Sequence, residues 1–282
     1  MKTSPKHCKN LNMLNLTQKK GYYYLFIMIV LFISASWTLI VTPKPVIYLI
    51  GDSTVKNGKG NGDGGLWGWG NFLSLHFDTT KIIIKNNAIG GRSSRTFQTE
   101  GRWDAVLAML QKGDFVLIQF GHNDGGALDD TARARGTIKG IGDESKEIYN
   151  PIMKKQEIVH TYGWYMRKYI ADTKAKGATP IVCSPVPRNI WKDGKIVRDS
   201  STYTLWASQV AEKEGSLFIN LNELICNQYD KLGEENVKTT MFTTKDHTHT
   251  SKEGALLNTA SVAQGIKNLK ECTLKNYMLP GK

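Results

Sequence analysis

Ser53, His249 and Asp246 are the residues of this 282-residue chain whose types and spacing suit the activation of a hydroxyl. Ser53 follows an apolar run in "IYLIGDSTV" (residues 47–55), so a buried strand ends by turning on Gly51 and presenting a hydroxyl. A serine hydroxyl attacks poorly unless a base takes its proton and a third group orients that base. Alone, Gly-Asp-Ser ahead of a helical segment is equally the chemistry of a helix cap, since Asp and Ser both accept bonds from free backbone N–H groups. The base and its orienter stand near the other end of the chain. "KDHTHTSKEGA" (245–255) holds Asp246 and His249, three residues apart in a loop ahead of the last helical pattern. That spacing lets the carboxylate hold Nδ1–H and leaves Nε2 to take the Ser53 proton, a task suited to imidazole at neutral pH. His247, next to Asp246, is expected to point elsewhere.

Acyl transfer also needs donors aimed at the developing oxyanion, each contributing about 3–4 kcal/mol. The Ser53 N–H is one candidate; the Gly91 N–H in "IGGRS" and the Asn123 side-chain amide in "FGHND" are two more. Two other classes of function use the same residues. Asp246, His247, His249 and His122 are metal-ligand types, yet no H-E-x-x-H or comparable spacing joins them. No metal or other cofactor is expected. A catalytically silent glycan-binding protein is the remaining alternative, because function belongs to the site and not to the fold.

The elements that must position these groups are short apolar runs at 46–50, 81–86, 114–120, 179–185 and 217–221. Their consecutive apolar positions suit strands buried on both faces of a parallel sheet. Helical patterns at 102–113, 161–177, 201–215 and 251–269 lie between and after them. Strand–helix alternation predicts an α/β protein, a doubly wound three-layer α/β/α sandwich with a five-stranded parallel sheet. Sites in such folds lie at the carboxyl ends of the strands. "LIGDST", "NNAIGGRSS", "QFGHND" and "SPVPRNIW" follow the first four runs and converge on one rim.

The first 20 residues carry five lysines and no acid, and an apolar stretch follows from residue 22. Its centre at 25–33 has the length of a signal-peptide core, shorter than the roughly 20 residues that span a bilayer. Ser34 and Ser36 place a cleavage point after Ser36, while counting on to residue 41 leaves an uncleaved N-terminal signal anchor open. The expected organisation is a leader at 1–36, one domain at 45–271 and a tail at 272–282. The domain is exported, periplasmic or secreted, with the membrane touched only through the possible anchor. Without the leader's five lysines the formal charge of +12 becomes +7, which favours an anionic partner such as an acidic polysaccharide. Export and the lack of a basic-aromatic motif argue against nucleic acid. Cys183 reads as a core residue; Cys226 and Cys272 could pair in an oxidising compartment.

"GDST" at 51–54, "GGRS" at 90–93, "GHND" at 121–124 and "DHTH" at 246–249 resemble the four blocks of the SGNH (GDSL-type) hydrolases, and "IGGRSSR" at 89–95, "EGRW" at 100–103 and "DHTHTSKEGA" at 246–255 extend the likeness. The wording is most similar to the rhamnogalacturonan acetylesterase branch, and the similarity runs from residue 46 to about 268. The resemblance implies a flavodoxin-like sandwich and metal-free hydrolysis of acetyl esters on pectic polysaccharide. Ser53 resembles the nucleophile and Asp246 and His249 its acid and base partners. The Ser53 and Gly91 N–H groups and the Asn123 amide resemble the oxyanion hole. The implied substrate is an acetylated acidic polysaccharide, and a monomer is expected. Gly90 stands where the branch often has Ala, and the charge-rich insert at 125–151 is long. Trp67, Trp69 and Trp191 are candidates for stacking on a sugar, or for packing. Arg92, Arg95 and Arg188 are candidates for uronate carboxylates, or for holding the loops.

Overall fold

Alternate residues of the first strand bury against opposite layers, which is why its sequence reads as an unbroken apolar run. In β1 (Val46–Gly51), Ile47 and Leu49 enter one hydrophobic cluster and Tyr48 and Ile50 enter another. The computed structural model describes residues 1, 20–28 and 43–281. β1 pairs in parallel with β2 (Ile83–Asn86) and β3 (Phe115–Gln119). β3 pairs with a strand at Thr179–Cys183, which pairs with the short strand Leu217–Ile219. All the pairings of this sheet are parallel, and β1 and β3 are neighbours in a five-stranded sheet edged by β2 and Leu217–Ile219. This is the flavodoxin-like strand order, and ligand sites form where that order reverses, between β1 and β3.

The helices complete the sandwich. α1 (Ser94–Thr99), α2 (Arg102–Met109), α3 (Tyr162–Ala175) and α4 (Tyr203–Lys213) supply Phe97, Trp103, Met166, Tyr169 and Val210 to the cluster that receives Tyr48 and Ile50. α5 (Leu221–Leu232) and α6 (Lys252–Asn268) supply Ile225, Tyr229 and Val262 to the other. The helical pattern expected at 161–177 forms α3, with Tyr162, Tyr165, Met166 and Tyr169 all buried.

Several local readings change. β2 begins at Ile83 and lies at the sheet edge with Ile83 exposed, so it is not buried on both faces. Leu221 opens α5 instead of ending a strand, because the Asn220 side chain accepts the Glu223 N–H and caps the helix. The charge-rich insert ends in a strand. β4 (Ser145–Asn150) pairs antiparallel with β5 (Lys155–His160). At the C-terminal end, a 3₁₀ helix at Thr273–Tyr277 buries Leu274, and Met278 bridges Phe77. The three cysteines of this region are buried free thiols, so Cys226 and Cys272 are not paired.

Met1–Pro43 and Lys44–Lys282 form separate units, and the first has a helix over residues 20–28. The cleavage point after Ser36 and most of the leader's apolar core lie outside the described residues. Among the described residues, no helix is long and apolar enough to cross a membrane.

Candidate active site

At the corner after β1 the cap is made by Asp52. Its Oδ1 accepts the Thr54 N–H at 2.8 Å and the Thr54 hydroxyl at 2.7 Å, so Asp52 closes the turn after β1 and Ser53 is not needed for it. Gly51 is required for space: a Cβ there would lie 2.5 Å from the Gln119 carbonyl oxygen and 2.6 Å from Val55 Cγ2. A buried relay stiffens the corner. Trp69 Nε1 donates to Gln119 Oε1 at 2.8 Å, and Gln119 Nε2 donates to Thr54 Oγ1 at 2.6 Å. Ser53 keeps 9% exposure at this corner.

His249 reaches Ser53 from the loop ahead of α6. Its Nε2 lies 2.7 Å from Ser53 Oγ, across 196 positions of sequence. Its Nδ1 lies 2.8 Å from Asp246 Oδ2. Asp246 Oδ1 accepts the Thr248 and His249 N–H groups, each at 2.7 Å. Burial raises the Asp246 pKa, but the bonds from His249 and the two amides outweigh it and hold the carboxyl below its usual range. With Asp246 ionised, Nδ1 carries the ring proton and Nε2 presents a lone pair to the serine. The His247 carbonyl accepts the Asn189 N–H at 2.7 Å.

The glycine corner after β2 abuts the serine: a Cβ on Gly90 would stand 3.6 Å from Ser53 Cβ. Gly91 has φ +76°, a left-handed conformation that favours glycine. Its carbonyl accepts Arg135 Nη1 at 3.1 Å, so the insert braces this turn. Asn123, 8% exposed, donates from Nδ2 to the Arg92 carbonyl at 2.9 Å, and its amide has a second hydrogen.

Two further carboxyls were missed by sequence reasoning, although both stand inside the motifs that flagged the site. Asp52 and Asp124 are fully buried. Burial acts to raise Asp52, but His122, with Nδ1 3.6 Å from Asp52 Oδ2, and the Thr54 bonds bring its pKa below the usual value. Asp124 accepts the Ser94 N–H at 3.0 Å and hydroxyl at 2.5 Å, yet burial, with Asp52 nearby, pushes it up to about 7. The protein separates the two acids, one ionised and one holding its proton toward neutrality.

The remaining candidates divide. Trp69 is 1% exposed and belongs to the core, so it is no sugar platform. Trp67 packs on Phe72 at 5.1 Å, and Trp191 packs partly against the core with Nε1 on Asn189. Arg95 is also fully buried, bidentate to Glu157 at 2.7 and 2.6 Å; it ties the β4–β5 hairpin to α1 and meets no substrate. Arg92 pairs with Glu100 at 3.0 Å. Arg188 donates to the Thr248 hydroxyl and to the His122 carbonyl. Among the described residues, no group of three or more His, Cys, Asp or Glu side chains is placed to hold a metal ion.

Residues 49–257 match the model of the GDSL-like lipase/acylhydrolase family. The chain is 34% identical over 210 residues to the rhamnogalacturonan acetylesterase of Emericella nidulans, covering 74% of this chain and 79% of that one. It is 35% identical over 227 residues to a probable rhamnogalacturonan acetylesterase of Bacillus subtilis, YesY, covering 79% and 93%. The crystal structure of Bacillus subtilis YxiM superposes with a TM-score of 0.64 at 25% identity, over 80% of this chain and 57% of that one.

Proposed function

The chain belongs to the GDSL-like lipase/acylhydrolase family, and from that premise we propose that it is an exported serine esterase removing O-acetyl groups from an acetylated acidic plant cell-wall polysaccharide, rhamnogalacturonan first. The observation that carries this reading is the 2.7 Å contact between Ser53 Oγ and His249 Nε2. A lone pair held that close to a hydroxyl, on a ring fixed by a carboxylate, is the arrangement nucleophilic acyl transfer needs.

Ser53 Oγ attacks the acetyl carbonyl as its proton passes to His249 Nε2. The Ser53 and Gly91 N–H groups and the free Asn123 amide hydrogen receive the oxyanion. His249 then protonates the departing sugar oxygen, leaving acetyl on Ser53. Water, deprotonated by the same nitrogen, attacks the acetyl-enzyme and releases acetate. Asp246 holds Nδ1–H throughout and stabilises the imidazolium. The relatives' names and the basic charge support an acidic, acetylated glycan. Ser53→Ala is expected to abolish aryl acetate cleavage with the fold intact; unchanged turnover would end the proposal. Acetate release compared across acetylated rhamnogalacturonan, homogalacturonan and xylan identifies the polymer. Pectin binding without acetate release from any of them would favour the non-catalytic alternative.

A further inference from the structure

A cavity of about 380 Å³ opens between the loops that follow β3 and Thr179–Cys183. That is the size of a small-ligand site. Its wall includes His122, which adjoins Asn123 in the chain, and Arg188, which is hydrogen-bonded to Thr248 next to His249. The wall thus holds the chain neighbour of Asn123 and an arginine bonded to the chain neighbour of His249.

Two arginines line it, and their situations differ. Arg198 is neutralised, with Glu223 at 3.0 Å and Asp230 at 2.8 Å. Arg188 is half-buried and held by neutral acceptors, the Thr248 hydroxyl and the His122 carbonyl at 3.3 Å. Among the described residues, no carboxylate lies within ion-pair distance of it. The cavity's own acid, Asp199, is turned to its loop: Oδ1 accepts the Thr202 N–H at 3.0 Å and hydroxyl at 2.6 Å, and Oδ2 accepts the Thr204 N–H at 3.1 Å. His122 spends Nε2 on the Val186 carbonyl at 3.0 Å and faces Asp52 Oδ2 with Nδ1 at 3.6 Å. The rest of the wall is largely apolar, with Pro185, Val186, Ile190, Val197 and Tyr203.

A positioned guanidinium without a counter-ion, in an otherwise apolar wall, fits a ligand with one carboxylate and C–H faces. We propose that this cavity is a uronate subsite, in which Arg188 holds the carboxylate of a galacturonate in the same polysaccharide chain as the acetyl group. The assignment deepens the esterase reading and rests on it for the position of the acetyl group. Arg188 is tethered to both the base loop and the loop of Asn123, so an engaged carboxylate sets the sugar chain in register with Ser53.

The test uses acetylated oligogalacturonate and its carboxyl-methyl-esterified counterpart, with kcat/KM measured on both. The acid form is expected to be preferred by wild type. Arg188→Gln should lower that acid-to-ester ratio about 10- to 100-fold, the range for one charged hydrogen-bonding partner, mainly through KM, and Arg188→Lys should restore part of it. Losses that are equal on both substrates would mean that Arg188 only braces the Thr248 loop, and would overturn the subsite. Calorimetric binding of unacetylated trigalacturonate supplies a second readout that needs no turnover. Tight binding to wild type, weakened by Arg188→Gln and by Val197→Trp at the rim, supports the subsite even if no polymer releases acetate, which would count against the esterase reading alone. Aryl acetate turnover by a wild type that binds no trigalacturonate overturns the subsite and leaves the esterase reading standing.

Discussion

Replacing Asp246 by Asn keeps the shape of the side chain and changes which nitrogen of His249 carries the proton. Oδ1 of Asp246 accepts two amides at 2.7 Å each, so an Asn there keeps its oxygen on them. Its NH₂ then takes the place of Oδ2, 2.8 Å from His249 Nδ1. An NH₂ offers no lone pair, so Nδ1 must accept and the ring proton moves to Nε2, facing Ser53. The base is blocked. Flipping the amide to recover the right tautomer gives up two backbone hydrogen bonds, about 2 kcal/mol in all. The imidazolium of the transition state also loses its counter-charge. At the 35% exposure of the Asp246 side chain that interaction is screened, and we take about 2 kcal/mol for it. The sum, about 4 kcal/mol, corresponds to roughly a 10³-fold loss in kcat. Steady-state hydrolysis of an aryl acetate measures it, with circular dichroism and thermal melting to show that the fold persists. A kcat within 10-fold of wild type would refute the claim that Asp246 sets the tautomer.

Other changes probe the frame. Gly91→Ala, forced to φ +76°, should cost about 1–2 kcal/mol in thermal stability and lower kcat. Gly90→Ala, whose Cβ would make an ordinary 3.6 Å contact with Ser53, should melt and turn over like wild type; equal effects at both positions would contradict the geometry. Glu157→Ala strands the fully buried Arg95 guanidinium and should destabilise the protein by about 3–5 kcal/mol in urea unfolding, and an unmoved midpoint would refute it. Asp124, raised to about 7 in the folded protein and about 3.9 when unfolded, takes up a proton on folding between those values. Its favourable effect is complete below about pH 4 and is lost as pH rises through about 7. Asp124→Asn, which has no such proton to lose, should therefore gain stability relative to wild type between pH 5 and pH 8, and a constant difference in denaturant midpoint would refute this.

The strands were legible because a parallel strand buried on both faces has to be apolar throughout, as 46–50 and 115–118 are. The reading failed where that condition lapses. Ile83 is apolar but stands on an edge strand facing solvent, Lys81 belongs to the turn before it, and Ile82 enters the core ahead of the strand. The hairpin of β4 and β5 was invisible because "SKEIYN" and "KQEIVH" are largely charged and exposed; it is anchored by Glu157 meeting an arginine 62 positions away. Trp69 read as a possible sugar platform because the sequence shows an indole near a nucleophile but not the glutamine, 50 positions on, that buries with it. The Asp246–His249 pairing was legible because it is local, three residues within one turn. The closeness of Ser53 to His249 was inferred from the rule that active groups gather at strand ends, and is a property of the sheet order.

How the histidine loop is held explains segments whose composition carries no chemistry. The loop is gripped from two sides, mainly by backbone. On one side the glycine-rich stretch after the serine supplies the Gly64 carbonyl to Lys245 Nζ, while the Trp67 N–H donates to the Thr250 carbonyl at 3.0 Å and the Thr250 hydroxyl to the Trp67 carbonyl at 3.1 Å. On the other, the Asn189 N–H donates to the His247 carbonyl and Arg188 to the Thr248 hydroxyl. Asp246 to His249 thus lie between the segment that carries the nucleophile and the segment that lines the proposed uronate cavity. A misplacement of about 1 Å can cost a catalytic arrangement about 100-fold, so a base brought from 196 positions away needs such bracing. The same clamp joins the wall of the proposed uronate cavity to the loop of the base, because Arg188 holds the Thr248 hydroxyl one residue from His249.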